Sequence, residues 1–198
     1  MVRRNRYLFR MRIIAGEFGG RRLAAPPGDR TRPMLEQARA AVFSMLGSEI
    51  EGARMLDLFS GTGSLGLEAL SRGAQFVQFV ERDAVAREYL QKNIDNLGVE
   101  KRTVVSRLSA EREAAAASAG SFHIISMDPP YAEITNIPRR KAVMTLLRDL
   151  YNRVLAPGGI VILHFPDKSL AEHDFAGLGL FRFRNYGRNA VAILKKDK

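Results

Sequence analysis

Apolar residues recur along the chain with two different spacings. Five short apolar runs predict strands, near residues 54–59, 76–80, 102–106, 122–127 and 159–165. The four segments between them predict helices, near residues 64–72, 83–97, 109–118 and 139–155. Strands that alternate with helices are typical of a parallel, doubly wound α/β sheet with right-handed crossovers.

Both ends of the chain depart from this alternation. Only three residues separate the strand-like segments 181–186 and 190–194, and so short a link predicts an antiparallel hairpin rather than another crossover. At the front, segments 11–16 and 21–24 predict a second hairpin, and residues 34–47 predict a helix. We therefore expect a basic flexible arm (1–10), a hairpin-and-helix appendage (11–47) and a main domain (48–198).

The composition favours a soluble, cytoplasmic protein. With 198 residues and 46% hydrophobic content, the chain is long enough for one domain with a substantial core. No apolar run approaches the roughly 20 residues of a membrane-spanning helix, and no apolar core follows the basic start as in a signal peptide. Cysteine is absent, which excludes disulfides and thiolate metal sites and fits a reducing compartment.

Positive charge is concentrated at the front of a chain whose formal net charge is +10. Residues 1–32 hold nine arginines against two carboxylates. Such a block suits the phosphate backbone of a nucleic acid, where each contact adds affinity and salt dependence, and a solvated arm is the alternative. The arginines beyond residue 10 that we expect to contact a polyanion are Arg12, Arg21, Arg22 and Arg32.

The segment from Met55 to Gly66 predicts a strand, a glycine turn and the start of a helix. Gly61, Gly63 and Gly66 have the spacing of a dinucleotide-binding fingerprint, in which glycines permit a tight turn and close approach of the backbone to a ligand. Glu81 ends the next apolar run, where such folds place a carboxylate for ribose hydroxyls. The spacing favours a nucleotide-like cofactor, although glycine turns also serve packing alone.

Asp57 favours one kind of cofactor over another. It ends a strand four residues before Gly61, and its carboxylate would repel the pyrophosphate of NAD in a low-dielectric cleft. S-adenosylmethionine carries a sulfonium and an ammonium but no phosphate, so the same charge would attract it. The alternative is that Asp57 only caps the glycine turn.

A stiff loop, Asp128-Pro129-Pro130-Tyr131, follows the fourth predicted strand. It lies at the carboxyl edge of a parallel sheet, where α/β folds bind ligands. The loop suits methylation of a ring amino group, because Asp128 and the Pro129 carbonyl can accept hydrogen bonds from its N–H groups and Tyr131 can stack on the base. An ordinary proline turn with Asp128 as a cap is the alternative.

Several stretches of this sequence together resemble the bacterial RsmD family. They are Met11–Gly16, Gly20–Leu23, Thr31–Pro33, Val42–Leu46, Leu56–Ala74, Asp128–Tyr131 and Arg184–Gly187, and the resemblance covers about residues 11–195. It implies a class I methyltransferase, a Rossmann-like and mainly parallel seven-stranded sheet closed by an antiparallel C-terminal hairpin. It also implies S-adenosylmethionine-dependent methylation of the exocyclic N2 amino group of a guanine in 16S ribosomal RNA.

The resemblance further implies a set of site residues. The target base would contact Asp128 through Tyr131, and Arg39 is the residue of the first helix that we match to substrate contact. The cofactor would contact Asp57, Phe59, Ser60, Gly61, Thr62, Gly63, Glu81, Arg82 and Leu108. We expect a monomer without a metal, acting on ribosomal RNA or on a partly assembled small subunit.

Three other functions stay open on the sequence. An adenine N6 methyltransferase acting on DNA or RNA shares the Asp-Pro-Pro-Tyr loop, although 198 residues leave no room for a large DNA-recognition domain. The loop and Asp57 disfavour an NAD-dependent oxidoreductase. The intact set of strand-ending carboxylates disfavours a non-catalytic RNA-binding protein. The lone histidines lack metal-ligand spacing and are interpreted as structural: His123, His164 and His173.

Overall fold

One mixed sheet of seven strands organises the part of the chain that the computed structural model describes, residues 11–27 and 36–198. The strands are β1 (Arg54–Leu58), β2 (Phe76–Val80), β3 (Thr103–Ser106), β4 (Phe122–Met127), β5 (Leu155–Pro166), β6 (Leu180–Tyr186) and β7 (Asn189–Lys195). Their order across the sheet is β3-β2-β1-β4-β5-β7-β6. The first five strands are parallel, and β7 pairs antiparallel with both β5 and β6. The predicted doubly wound sheet with a closing antiparallel hairpin is confirmed.

The described residues contain six α-helices, of which α1 precedes the first strand and the other five lie between strands. They are α1 (Glu36–Leu46), α2 (Ser64–Ser71), α3 (Ala84–Leu97), α4 (Ala110–Ala116), α5 (Tyr131–Thr135) and α6 (Ile137–Asp149), and 3-10 turns span Gly47–Ile50, Glu100–Arg102 and Glu172–Phe175. α3 begins where the Asp83 side chain accepts a hydrogen bond from the backbone of Ala86, and it ends at Gly98, which has a φ of 70°. The Asn136 side chain caps α6 in the same way.

Two predicted boundaries differ from the structure. The segment predicted as one helix over 139–155 begins at Ile137 and ends in a π-helical turn over Leu150–Val154. β5 begins at Leu155 rather than near 159, and its pairing with β4 passes through a register shift. The Pro157-Gly158-Gly159 stretch lies in this irregular part of β5. Proline and glycine are rare inside strands, so the sequence does not predict that β5 begins before them.

The predicted front hairpin is confirmed as one antiparallel bridge between Arg12 and Arg22. Backbone hydrogen bonds flank the bridge, including one of 2.8 Å from Leu23 N to Met11 O. We call residues 11–27 the front segment. The predicted helix over 34–47 is seen as α1, and its first two residues, the arm at 1–10 and Arg32 lie outside the described residues.

Two buried apolar clusters lie on the two faces of the sheet. Successive residues of β1 enter different clusters, Met55 the first and Leu56 the second, as the period of a strand requires. Side chains of the front segment, Ile13 and Phe18 among them, belong to the first cluster. The front segment therefore shares the core of the sheet. Among the described residues, no helix combines the length and the apolar character that crossing a membrane requires.

Candidate active site

Three strand-ending carboxylates meet at one edge of the sheet. β1 pairs in parallel register with both β2 and β4, so the ends of these three strands are level. Asp57 is the next-to-last residue of β1, and Glu81 and Asp128 directly follow β2 and β4. This carboxyl edge is where open α/β sheets bind their ligands.

The turn between β1 and α2 has an unusual backbone. Gly61 and Gly63 have φ values of 55° and 84°, and Phe59 has a φ of 60°, which is uncommon for any residue other than glycine. A Cβ atom on Gly63 or Gly66 would collide with neighbouring side chains, whereas a Cβ position on Gly61 has nothing within 4 Å. Packing therefore accounts for Gly63 and Gly66, and the open side of Gly61 suits close approach by a ligand.

Asp57 is 2% exposed, and both of its oxygens are bonded inside the protein. Its Oδ2 accepts a hydrogen bond of 3.1 Å from the backbone of Gly66, and its Oδ1 accepts one from the Ser126 hydroxyl. Burial raises the pKa of the Asp57 carboxyl to about 7, these two hydrogen bonds oppose the rise, and the negative charges of Asp128 and Glu81 add to it. These contacts are those of a cap on the glycine turn, and attraction of a cofactor cation stays a prediction.

Glu81 fastens the glycine turn to the end of β2. Its Oε2 accepts a hydrogen bond of 2.8 Å from the backbone of Gly61, and its Oε1 accepts one of 2.7 Å from the backbone of Asp83. A carboxylate has about four lone-pair sites, so each oxygen can accept a further bond from a hydroxyl. The half-buried position of Glu81 at the sheet edge fits the predicted contact with a ribose.

The remaining predicted cofactor residues form two groups. Ser60 and Thr62 belong to the glycine turn, and the Ser60 hydroxyl is buried without a hydrogen-bond partner among the described residues. A bound ligand can satisfy such a hydroxyl. Arg82 and Leu108 lie beyond the ends of β2 and β3, and Leu108 is 41% exposed. An exposed apolar side chain at this edge fits the predicted contact with an adenine ring.

The Asp128–Tyr131 loop leaves β4 at the same edge. A backbone hydrogen bond of 3.4 Å from Asp128 N to Leu58 O ties its first residue to β1. Asp128 and Tyr131 are half-buried, Pro129 is buried and Pro130 is exposed. The loop thus presents a carboxylate and an aromatic ring beside the glycine turn, as predicted for contact with a base.

Two residues that the sequence interpretation missed hold this loop. His164 Nδ1 lies 2.7 Å from Asp128 Oδ1, and the Tyr131 hydroxyl donates a hydrogen bond to Asn189 Oδ1. The interpretation of His164 as a structural residue therefore left out its contact with a predicted catalytic group. The available signal was that His164 is the only polar residue in the apolar run 160–165.

Of the described arginines that are predicted to contact RNA, three are exposed and one is buried. Arg12, Arg21 and Arg22 are exposed on the front segment. The Arg12 guanidinium forms an ion pair of 2.8 Å with Glu36, and Arg21 Nη2 donates a hydrogen bond of 2.5 Å to the carbonyl of Asn96. All three side chains remain exposed, and their contact with phosphate stays a prediction.

The prediction for Arg39 is contradicted by its burial. Arg39 is 2% exposed, its Nε lies 3.8 Å from Glu68 Oε2, and its Nη2 donates a hydrogen bond to the carbonyl of Arg12. Burial lowers the pKa of the Arg39 guanidinium, and the charge of Glu68 opposes that fall. A cation enclosed in this way serves the packing of α1 and does not reach an RNA phosphate.

The reversed strand β7 distinguishes this sheet from the all-parallel sheet of a dinucleotide-dependent dehydrogenase. With the Asp128–Tyr131 loop after β4, it defines the protein as a class I S-adenosylmethionine-dependent methyltransferase. A family model described as conserved hypothetical protein 95 matches residues 11–195. The chain belongs to this family, the RsmD family of bacterial rRNA methyltransferases.

Individual relatives agree with this assignment. YlbH of Bacillus subtilis is 40% identical over 188 residues, which cover 94% of this chain and 99% of that protein. Ribosomal RNA small subunit methyltransferase D of Escherichia coli is 36% identical over 122 residues, which cover 61% of this chain and 60% of that protein. The solved structure of yhhF from Escherichia coli has a TM-score of 0.79 at 27% identity and covers 94% of this chain and 97% of its own.

Proposed function

We propose that this protein methylates the exocyclic N2 amino group of a guanine in 16S ribosomal RNA. One observation carries the proposal. The half-buried carboxylate of Asp128 lies at the ligand-binding edge of the sheet, with Oδ1 bonded to His164 and no hydrogen bond to Oδ2 among the described residues. Membership in the RsmD family and similarity to the small-subunit methyltransferase of Escherichia coli support ribosomal RNA as the substrate.

The residues around the glycine turn fit the cofactor. When bound, S-adenosylmethionine supplies an electrophilic methyl group on a positively charged sulfur. Gly61 has an open face for backbone contact, Glu81 has lone pairs left for ribose hydroxyls, and the Ser60 hydroxyl lacks a partner within the described chain. The negative charge of Asp57 favours a cationic ligand over a phosphate.

The Asp128–Tyr131 loop can make a ring amino group a better nucleophile. The lone pair of such a nitrogen is delocalised into the ring, and a hydrogen bond from its N–H to Asp128 favours a localised, aimed lone pair. In this proposal the Pro129 carbonyl accepts the second N–H, and Asp128 Oδ2 takes the proton that the nitrogen loses. Positioning and charge complementarity therefore carry the catalysis.

Tyr131 contributes binding energy rather than chemistry. Stacking of an aromatic side chain on a base is worth about 1–3 kcal/mol and depends little on which base it is. The hydroxyl of Tyr131 is held by Asn189, which fixes the outer end of the ring. An unstacked guanine, in a loop or flipped from a helix, is the form of substrate that this contact requires.

The exposed arginines of the front segment supply the electrostatic part of RNA binding. Arg12, Arg21 and Arg22 lie on the outer side of a segment whose apolar residues are packed into the core, so their position is fixed. Contacts of arginine with phosphate set the register of a nucleic acid without reading its bases. We infer that these residues orient the RNA and that the Asp128–Tyr131 loop selects the base.

Transfer of labelled methyl groups from S-adenosylmethionine tests the proposal. Free 16S RNA and partly assembled small subunits serve as acceptors, and the labelled RNA is digested to nucleosides, with the Asp128→Asn variant as the control. Label in N2-methylguanosine, lost in the control, is the expected result. Label in methyladenosine would assign the protein to adenine N6 methylation instead. Cofactor binding without transfer to either acceptor would reject ribosomal RNA as the substrate.

A further inference from the structure

His164 is almost fully enclosed, at 1% exposure, yet it contacts the partly accessible Asp128. The second ring nitrogen, Nε2, is buried and has no hydrogen-bond partner among the described residues. The described hydrogen bond of this buried imidazole is therefore the one to the carboxylate of Asp128. The role inferred for it below rests on the function proposed above.

The distance between His164 and Asp128 is that of a hydrogen bond. A separation of 2.7 Å between Nδ1 and Oδ1 requires a hydrogen between them, because two lone pairs at that distance repel. An ionised carboxylate only accepts hydrogen bonds, so Nδ1 is the donor wherever Asp128 is ionised. With Oδ1 occupied from within the protein, Oδ2 is the oxygen of Asp128 that is left for a substrate.

Asn189 repeats this arrangement at the other end of the loop. β5 and β7 are antiparallel, with His164 opposite Val191 and Pro166 opposite Asn189, so the side chains of His164 and Asn189 share one face of the sheet. His164 holds Asp128 and Asn189 holds the Tyr131 hydroxyl. The rings of Tyr131 and His164 also meet edge to face, with centroids 6.3 Å apart.

We propose that His164 and Asn189 are positioning residues for the transfer reaction. His164 fixes the carboxylate of Asp128 so that Oδ2 meets the amino group of the base, and Asn189 fixes the ring of Tyr131 on which the base stacks. Neither residue contacts the cofactor turn or the exposed arginines in the described structure. Small displacements of a reacting group lower rates by up to about 100-fold, so loss of either bond acts on turnover.

Three substitutions of His164 separate positioning from packing. The amide nitrogen of asparagine is attached at the same distance from the backbone as Nδ1, whereas that of glutamine matches Nε2. We therefore expect His164→Asn to keep the donor and His164→Gln to misplace it, and His164→Leu removes it while filling the space. The expected kcat is within about threefold of wild type for His164→Asn and about 10- to 100-fold lower for the other two.

The KM for RNA and the affinity for S-adenosylmethionine are measured on the same variants and are expected to change little. Equal kcat values for His164→Leu and wild type would overturn the proposal. So would an equal loss for His164→Asn and His164→Leu, or a loss of cofactor affinity that parallels the loss of kcat. A wild-type protein that methylates no RNA would instead refute the proposed function, and one that methylates adenine would leave the positioning role to be judged by the same kcat series.

Asn189 is tested in parallel. Asn189→Asp keeps an acceptor for the Tyr131 hydroxyl, Asn189→Leu removes it, and Tyr131→Phe removes the donor. We expect Asn189→Leu and Tyr131→Phe to lower kcat by similar factors and the double variant to lower it no further. Additive losses in the double variant would show that the two groups do not act through one bond.

Discussion

Arg39 and Glu68 form an ion pair enclosed between α1 and α2, with side-chain exposures of 2% and 0%. Glu68 also accepts hydrogen bonds of 2.7 and 3.1 Å from the backbone of Ile14 and Ala15, and one of 2.6 Å from Arg72. A single carboxylate therefore joins the front segment, α1 and α2. Its position on α2, the helix that follows the glycine turn, links the arginine-bearing segment to the cofactor side of the molecule.

Replacement of Glu68 is expected to destabilise the fold more than replacement of Arg39. Glu68→Ala removes the counter-charge of the buried Arg39 guanidinium and the acceptor of two backbone N–H groups, and breaking a buried pair in this way costs about 3–5 kcal/mol. Arg39→Met leaves Glu68 with Arg72 and both N–H groups, so its cost is smaller. Urea denaturation of the two variants measures the difference, with Glu68→Gln as the milder variant if Glu68→Ala does not fold. Equal losses of unfolding free energy would contradict the central role of Glu68, because its bonds to Ile14, Ala15 and Arg72 would then add nothing to its pair with Arg39.

Asp128 is expected to act in transfer and not in cofactor binding. Asp128→Ala removes the proposed acceptor for the amino group, and we expect transfer to fall below detection. The same variant is expected to bind S-adenosylmethionine within about threefold of wild type, because Asp128 belongs to the loop after β4 and not to the glycine turn. A threefold change in affinity is only about 0.7 kcal/mol. Calorimetric titration with the cofactor measures this. A parallel loss of binding and transfer would contradict the division of roles between the turn and the loop.

Asp57 is expected to make stability depend on pH. Its carboxyl has a raised pKa of about 7 in the folded state, against 3.8 ordinarily, so folding favours the protonated form. The stabilisation is complete below pH 3.8 and is lost as the pH rises towards and through 7. Asp57→Asn mimics the protonated carboxyl, so its melting temperature is expected to exceed that of wild type at pH 8 and to approach it at pH 5. A difference in melting temperature that does not change with pH would mean that Asp57 is already neutral or already solvated.

The same substitution tests the proposed attraction of a cation. We expect Asp57→Asn to weaken binding of S-adenosylmethionine by about tenfold, the scale of one charge-assisted interaction. Methylthioadenosine, which lacks both the sulfonium and the ammonium, is the matched control and is expected to bind both proteins alike. Equal weakening of the two ligands would assign Asp57 to the shape of the turn alone.

Arg21 and Arg22 are expected to contribute to the salt dependence of RNA binding. Replacing both by glutamine removes two proposed phosphate contacts, and each contact contributes about 0.7 to the slope of log K against log salt for a single strand. Fluorescence anisotropy with a labelled 16S fragment over a range of salt gives the slope. Arg39→Met is the control, because it removes one positive charge from a buried position and is expected to leave the slope unchanged. A slope that is the same in the double variant and wild type would exclude the front segment from the RNA interface.

The strand ends of this fold were predictable from the sequence because apolar periodicity places them directly. Glu81 and Asp128 directly follow apolar runs and Asp57 lies two residues before the end of one, so apolar periodicity and the common edge of parallel strands together predict that the three carboxylates meet. Arg39 was assigned wrongly, because its burial depends on Glu68, whose position 29 residues further along is set by the packing of α1 on α2. Periodicity says nothing about a pairing of this kind.

His164 and Asn189 show the same limit at the site itself. Each contacts a loop residue that is 36 or 58 positions away, across strands whose order in the sheet is not their order in the chain. The antiparallel hairpin was predicted, but its register against β5 was not, and the register decides which side chains face the loop.

The side-chain amide of Asn93 joins the front segment to α3 and to the glycine turn. On α3 it accepts a hydrogen bond of 2.7 Å from Ala24 N and donates bonds of 3.0 Å to the carbonyls of Ala24 and Thr62. Asn93 and Glu68 thus anchor the front segment to α3 and α2 through buried polar groups that would each lose two hydrogen bonds without it. The front segment is therefore an integral part of the folded core, and the positions of its exposed arginines are set by the same packing that holds α2 and α3 against the sheet.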